Sequence, residues 1–375
     1  MITGMGRSGG SLLARLLDGH PAIASYPYEP RFGKIDPYKH GKLSESFPDP
    51  LVGSIEDVLR HNRRLERSLA IVSGASPSKT AYPDYDEEYF RRALHRPLPA
   101  DAGPGDFIEA FSEAFFRSHD FYRDRWNEIG VIAWHSAKGQ LWSEEILRID
   151  GLQLIYIIRH PLDVLASYLR SKGRKVPVIP EIELLWWCDC LLRAARDQLR
   201  APDRVSVVRY EDIVSDVDGF ARRLASSLAV SDSSELRRPS LFGQDWAGNS
   251  SYQKYQAVST DSIGRFDGYF SAEQIARCAE ILDGWLEPMG YRLVRPYFGA
   301  HFSLQQIAAA KDSFQVSRDI LLYYESRCKN RARAGDLAAF WPDPYHAKQQ
   351  AGVSVSLKKK ARSLLASAGP KGQKP

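Results

Sequence analysis

Residues 2–18 read ITGMGRSGGSLLARLLD: an apolar start, a glycine-rich turn, then a stripe of leucines. Leu12, Leu13, Leu16 and Leu17 recur at helical spacing, which predicts a helix from about Ser11 to Asp18 that Gly19 and Pro21 stop. A turn leading from a strand into a helix aims successive backbone N–H groups and a helix N-terminus at one point. That point suits an anion such as phosphate. Glycines are needed where the backbone comes close to the ligand. Only about five residues precede the turn, so the first strand reads as clipped, and the sequence leaves open whether the natural start lies upstream.

Strand, turn and helix then alternate. Leu152 to Ile158 (LQLIYII) is a continuous apolar run, as expected of a strand covered on both faces. It leads into Arg159-His160-Pro161, where proline suits the first turn of a helix reaching about Lys172. Arg204 to Val208 (RVSVV) is a further strand candidate, followed by Tyr210-Glu211-Asp212 and an amphipathic helix to about Leu228. The expected fold is α/β, a P-loop-like parallel sheet flanked by helices. Residues from about 33 to 130 are rich in Tyr, Phe, Arg and Pro, with turn clusters at Ala75–Ser78 and Pro99–Gly105 and a helical stretch near Asp106 to Arg125. So long a segment between sheet strands predicts an inserted, mostly helical subdomain or lid. The aromatics of residues 82–126 suit either a pocket wall or a core. Residues 292–347 are expected to form a helical extension, with Leu304 to Arg333 its amphipathic part.

The net charge of +5 is misleading until it is located. From Lys348 onward there are six Lys, one Arg and no acid, so the tail carries +7 and the other 347 residues carry −2. A near-neutral body is poor support for a nucleic-acid binder, whose basic footprint sits on the folded domain. Residues 348–375 read as a solvated, disordered tail with weak attraction to anionic surfaces. No apolar run approaches the roughly 18 residues of a membrane span. Arg7 and Arg15 interrupt any signal-peptide core. Cys188, Cys190, Cys278 and Cys328 fit neither a disulfide framework nor a metal site, and read as reduced core cysteines of a cytoplasmic protein.

Two constellations carry the chemistry. Against the template G-x-x-x-x-G-K-[ST], Gly4, Gly9 and Ser11 are in place but Gly10 stands at the lysine position. That lysine steadies a nucleoside triphosphate, so its absence argues against an ATPase or kinase, and Arg7 supplies a different cation inside the loop. The second constellation is Arg159 at a strand end with Ser167 eight residues on, a pair able to hold a second phosphate at the carboxyl edge of the sheet.

The segments GMGRSGGS with LLARLLDGHP behind it, and YIIRHPLDVLASYLR, resemble the two nucleotide-binding motifs of the sulfotransferases that use 3′-phosphoadenosine 5′-phosphosulfate (PAPS). In that family the first motif, close to [KR]-S-G-T-[TS], cradles the 5′-phosphosulfate; here it falls on Arg7, Ser8, Gly9, Gly10 and Ser11, with Gly6 ahead of it. The second motif grips the 3′-phosphate and falls on Arg159 and Ser167. VVRYEDIVSD resembles the family's third strand-turn-helix segment. SIGRFDGYFS resembles its C-terminal region, where a basic stretch, here Arg265, helps hold the 3′-phosphate. The resemblance spans residues 1–291, the expected sulfotransferase domain, with residues 33–130 as its acceptor-binding insertion. Gly10 departs from it, because the family usually has Thr there.

The resemblance implies in-line sulfuryl transfer from PAPS, without a metal, to a hydroxyl or amine of a small-molecule, glycan or lipid acceptor. Arg7 and the loop amides would stabilise charge developing on the leaving 5′-phosphate. Two residues are candidates for the base that takes the acceptor proton. Glu29, in Glu29-Pro30-Arg31, stands 22 residues after Arg7, much as in the carboxylate-using branch of the family. Pro30 would hold it extended, and Arg31 could orient it. His135, 24 residues before Arg159, lies near where the family often has a Lys-Thr/Ser pair; here the pair is His135-Ser136, with Lys138 beyond. His20 reads as a structural cap. The competing readings are a nucleotide-binding scaffold without catalysis and a P-loop kinase; the acceptor and the oligomeric state stay open.

Overall fold

A computed structural model describes residues 1–27, 86–94, 104–137, 139–171, 181–246, 248, 257–282 and 284–308. Strand β1 (Ile2–Thr3) is flanked by parallel neighbours on both sides. The turn after it enters helix α1 (Gly10–Leu17), which returns to strand β2 (Ile23–Ser25). β2 pairs in parallel with β3 (Val131–Ala133), and the chain runs on through Trp134 into β4 (His135–Ser136), which pairs with β1. The Trp134 carbonyl accepts the Ile2 N–H at 2.7 Å, so β3 and β4 act as one bent strand that hands its pairing from β2 to β1. On the far side of β1 come β5 (Leu154–Ile158) and then β6 (Val205–Arg209), both parallel. The result is an all-parallel sheet with crossover helices, an α/β, P-loop-like fold.

The continuous apolar run of β5 is explained by the layers on either side. Leu154, Tyr156 and Ile158 face one core, packed with Leu162, Leu165, Leu184 and Trp187. Ile155 and Ile157 face the other, packed with Leu13, Leu16 and Leu17 of α1 and with Ile213 and Phe220. Alternate residues of one strand thus serve opposite layers, so no polar face is left. The one polar atom in the run, the Tyr156 hydroxyl, donates to Asp197 at 2.5 Å. Helix α5 (Pro161–Ser171) follows β5, and α6 (Glu181–Arg200) packs beneath it. The latter buries Cys188 and Cys190, whose thiols are unpaired; burial pushes that of Cys190 up to about 12, so both are inert. Cys278 is buried as well, and Cys328 lies outside the described residues.

Several elements differ from the sequence expectations for local reasons. The helical stretch near residues 106–125 is two helices, α3 (Pro104–Arg117) and a single turn at Asp120–Arg123. Ser118 and His119 end the first by turning their side chains onto the Phe115 carbonyl, at 2.5 and 2.8 Å. The helix after β6 is also two, α7 (Tyr210–Ser215) and α8 (Val217–Ser227). Asp216 leaves the helical region there and accepts the Gly219 N–H at 2.8 Å as an N-cap. Among the described aromatics of this stretch, Phe90, Phe111, Phe115, Phe116 and Tyr122 are core, packed with Tyr26 and Trp134. They do not line the cavity described below. Leu304–Ala308 is helical and buries Ile307 against the α6 layer; residues 309–375 lie outside the described residues. His20 is structural, its Nδ1 accepting from Ala22 N–H at 3.1 Å and its Nε2–H donating to the Ser231 carbonyl at 3.0 Å.

Candidate nucleotide-binding site

The turn between β1 and α1 is shaped at two glycines. Gly9, at φ 107°, starts α1 from a conformation that L side chains rarely adopt, and a Cβ there would stand 2.4 Å from the Tyr210 ring. Gly10 has ordinary helical backbone, but a Cβ on it would lie 2.1 Å from His135 Nε2. Ser8 is tucked beneath the loop and its N–H donates to the Met5 carbonyl at 3.1 Å, which closes the turn. The N–H groups of the first turn of α1 have no partner within the helix, and they face the loop's opening.

Arg7, a non-glycine residue at φ 75°, leans out of the loop toward the second constellation. Its Nε donates to Ser167 Oγ at 3.1 Å, and its carbonyl accepts from Arg159 Nη1 at 3.3 Å. Arg159 is only 7% exposed. Its Nη2 donates to the Ser262 carbonyl at 2.6 Å, and its guanidinium lies over the Tyr210 ring at 4.5 Å. Its Nε is buried with no partner among the described residues. Three anchors fix this strand-end turn. Trp187 Nε1–H donates to the Arg159 carbonyl at 2.9 Å, and the His160 N–H donates to Glu211 Oε1 at 2.8 Å. The His160 ring stacks on Phe266 at 4.6 Å. One turn on, Asp163 accepts the N–H groups of Gly264 and Phe266, which pulls the 262–266 segment over Arg159. Arg265 stands on that segment, its Nε donating to the Asp261 carbonyl at 2.6 Å.

The two constellations open onto one cavity of about 260 Å³. Gly6, Arg7, Gly9, Gly10 and Ser11 form its floor, Arg159, Ser167 and Arg265 one side, and His135 the edge beside Gly10. Of the sequence-predicted residues, Ser8 alone among those described stays behind the loop rather than facing the cavity. Glu29, Arg31 and Lys138 lie outside the described residues. Sequence reasoning missed Tyr210, Ser262 and Trp246. Tyr210 belongs to a motif already noted, VVRYED, and its place directly after a strand end was the available signal. Trp246, a half-buried ring that lines the cavity just after a two-stranded hairpin, had none.

The Arg159 side of the cavity is positive, and Arg159 itself is buried. No carboxylate lines the cavity among the described residues. His135 is pushed down to about 4, first by burial and then by the charge of Arg15, so its imidazole is neutral near pH 7. Glu211, behind the Arg159 turn, is pushed up to about 7 by burial, against the opposing pull of its hydrogen bond from His160. Among the described residues no group of three or more His, Cys, Asp or Glu is placed to hold a metal ion.

No family model matches the chain, and no curated protein matches it. Among solved structures it is similar to the sulfotransferase domain from the Synechococcus PCC 7002 olefin synthase, at 18% identity and TM-score 0.44, over 74% of this chain and 92% of that one. It is also similar to the sulfotransferase domain from the curacin biosynthetic pathway, at 16% identity and TM-score 0.41, over 75% and 95%. A third is sulfotransferase STF9 from Mycobacterium avium, at 16% identity and TM-score 0.37, over 76% of each chain. Among the described residues no helix is long and apolar enough to cross a membrane.

Proposed function

We propose that this protein is a PAPS-dependent sulfotransferase acting on a hydroxyl or amine of a small-molecule, glycan or lipid acceptor. The observation that carries the reading is one cavity on which two separate anion-binding constellations converge, the Gly6–Ser11 loop and the Arg159–Ser167 pair. A nucleotide with phosphates at both its 5′ and 3′ positions matches such a pair. The donor set fits it: a helix N-terminus and loop amides at one end, and a buried guanidinium with an unpartnered Nε at the other. The lysine that a triphosphate would need is absent, since Gly10 holds its place.

When bound, PAPS supplies a sulfuryl group: the acceptor oxygen bonds to sulfur, the bond to the bridging oxygen breaks, and 3′,5′-bisphosphoadenosine leaves with that electron pair. The chain's own residues position and stabilise. The loop amides and α1 hold the 5′ end, Arg159 and Ser167 the 3′-phosphate, and Arg7 spans the two through its bond to Ser167. Arg265 adds charge on the 3′ side. The acceptor proton goes to Glu29, the base the sequence resemblance favours, with His135 its rival.

Calorimetry tests the donor site. 3′,5′-Bisphosphoadenosine should bind at least tenfold more tightly than 5′-AMP. Arg159→Ala should weaken it by about ten- to a hundredfold, the worth of a hydrogen bond to a charged group. Equal affinity for the two nucleotides would remove the assignment of Arg159 and Ser167.

A further inference from the structure

Along the sequence, Gly10 and His135 are two separate departures from the motif they resemble. In the folded chain they meet. The space that a side chain at residue 10 would fill is taken by the His135 imidazole, with Nε2 only 2.1 Å from where that Cβ would be. The ring reaches this place because β4 lies directly beside β1, in the register Ile2 to His135 and Thr3 to Ser136. That pairing sets His135 beside Ile2, in the strand that leads into the loop, and the ring lines the same cavity as Ser11 and Arg7.

We propose, resting on the donor-site reading above, that His135 is a ligand-contacting residue. Its Nε2–H donates a hydrogen bond to an oxygen of the anion seated on the loop, the 5′ end of the nucleotide, in place of a side chain at residue 10. The contact is made by donation alone. A ring held neutral by burial and by Arg15 still carries one N–H to donate. Arg15 is itself buried and donates to the Pro27 carbonyl. Gly10 is then required because of its neighbour and not because of its own backbone.

The test uses the purified full chain and three nucleotides: 3′,5′-bisphosphoadenosine, 5′-AMP and 3′-AMP. His135→Ala should weaken the bisphosphate and 5′-AMP by about tenfold, and leave 3′-AMP, which has no 5′ anion, unchanged. His135→Gln keeps an N–H donor near the Nε2 position but can accept no proton, and it should restore binding and turnover to within a few-fold of wild type. Gly10→Ala should mimic His135→Ala, because the added methyl displaces the ring. The double variant Gly10→Ala/His135→Ala should be no worse than either single one, since the ring is no longer there to be displaced.

Equal losses for 3′-AMP and the bisphosphate would overturn the proposal by showing a structural effect. Turnover lost in His135→Gln with binding intact would also overturn it, and would make His135 the base. Failure of the underlying reading looks different: wild type itself would show no preference for the bisphosphate over 5′-AMP.

Discussion

Glu211 offers a quantitative check on the burial of the Arg159 turn. Its carboxylate is 1% exposed and accepts the His160 N–H at 2.8 Å and the Tyr291 hydroxyl at 3.0 Å. Burial pushes it from 4.5 to about 7. At ~1.4 kcal/mol per pH unit, holding this group ionised in the folded protein costs about 3 kcal/mol. The sign follows from the raised value. Below the unfolded pKa the group is protonated in both states and the cost is absent. As pH climbs, the unfolded chain gives up its proton first, so stability drains away until the folded carboxyl ionises near 7, and is level beyond. Glu211→Gln removes the titration while conserving shape: the amide oxygen can still accept from His160, and the NH₂ can donate to the Tyr291 oxygen. Urea unfolding of both proteins, followed by tryptophan fluorescence from pH 5 to 8, isolates the effect. His119, His135 and His160, each pushed down to about 4 chiefly by burial, make both proteins gain stability as pH rises from 4 to about 6.5, and they cancel in the difference. Wild type minus variant should fall by about 2–3 kcal/mol between pH 5 and 8. A difference that stays constant across this range would refute the reasoning.

Two further substitutions probe the loop and the chemistry. Gly9→Ala places a methyl 2.4 Å from the Tyr210 ring on backbone at φ 107°. It should cost roughly 1–3 kcal/mol in backbone strain alone, lower the thermal midpoint and weaken 3′,5′-bisphosphoadenosine at least tenfold by calorimetry; wild-type affinity would mean that the loop has other ways to form. Glu29→Gln should leave that affinity nearly unchanged and reduce turnover of labelled PAPS by about a hundredfold or more, the usual worth of a general base. Near-normal turnover would remove Glu29 from the mechanism.

What was legible in the sequence was what local backbone chemistry dictates. A glycine-rich turn before a leucine stripe has little freedom, and the loop, α1 and β5 stand within a residue or two of where the pattern puts them. Arg159 and Ser167 were legible because a strand end and the helix after it fix their separation. The helix breaks at Ser118–His119 and at Asp216 were missed because a short polar side chain there competes for a backbone group, and periodicity is blind to that competition. Ser262 was invisible for another reason. It reaches Arg159 only because Asp163 holds the backbone of Gly264 and Phe266, a contact between segments far apart in the chain.

The Gly10–His135 pair shows how a motif can be misread one position at a time. Taken alone, glycine where the resembled motif usually has threonine looks like a lost hydroxyl, and histidine near where it often has a Lys-Thr/Ser pair looks like a weakened or alternative base. The parallel pairing of β4 with β1 puts the two in one place, where only one side chain fits. A larger residue at 10 would exclude the imidazole, and a smaller one at 135 would leave the loop's side open to water. Each departure is therefore the condition for the other.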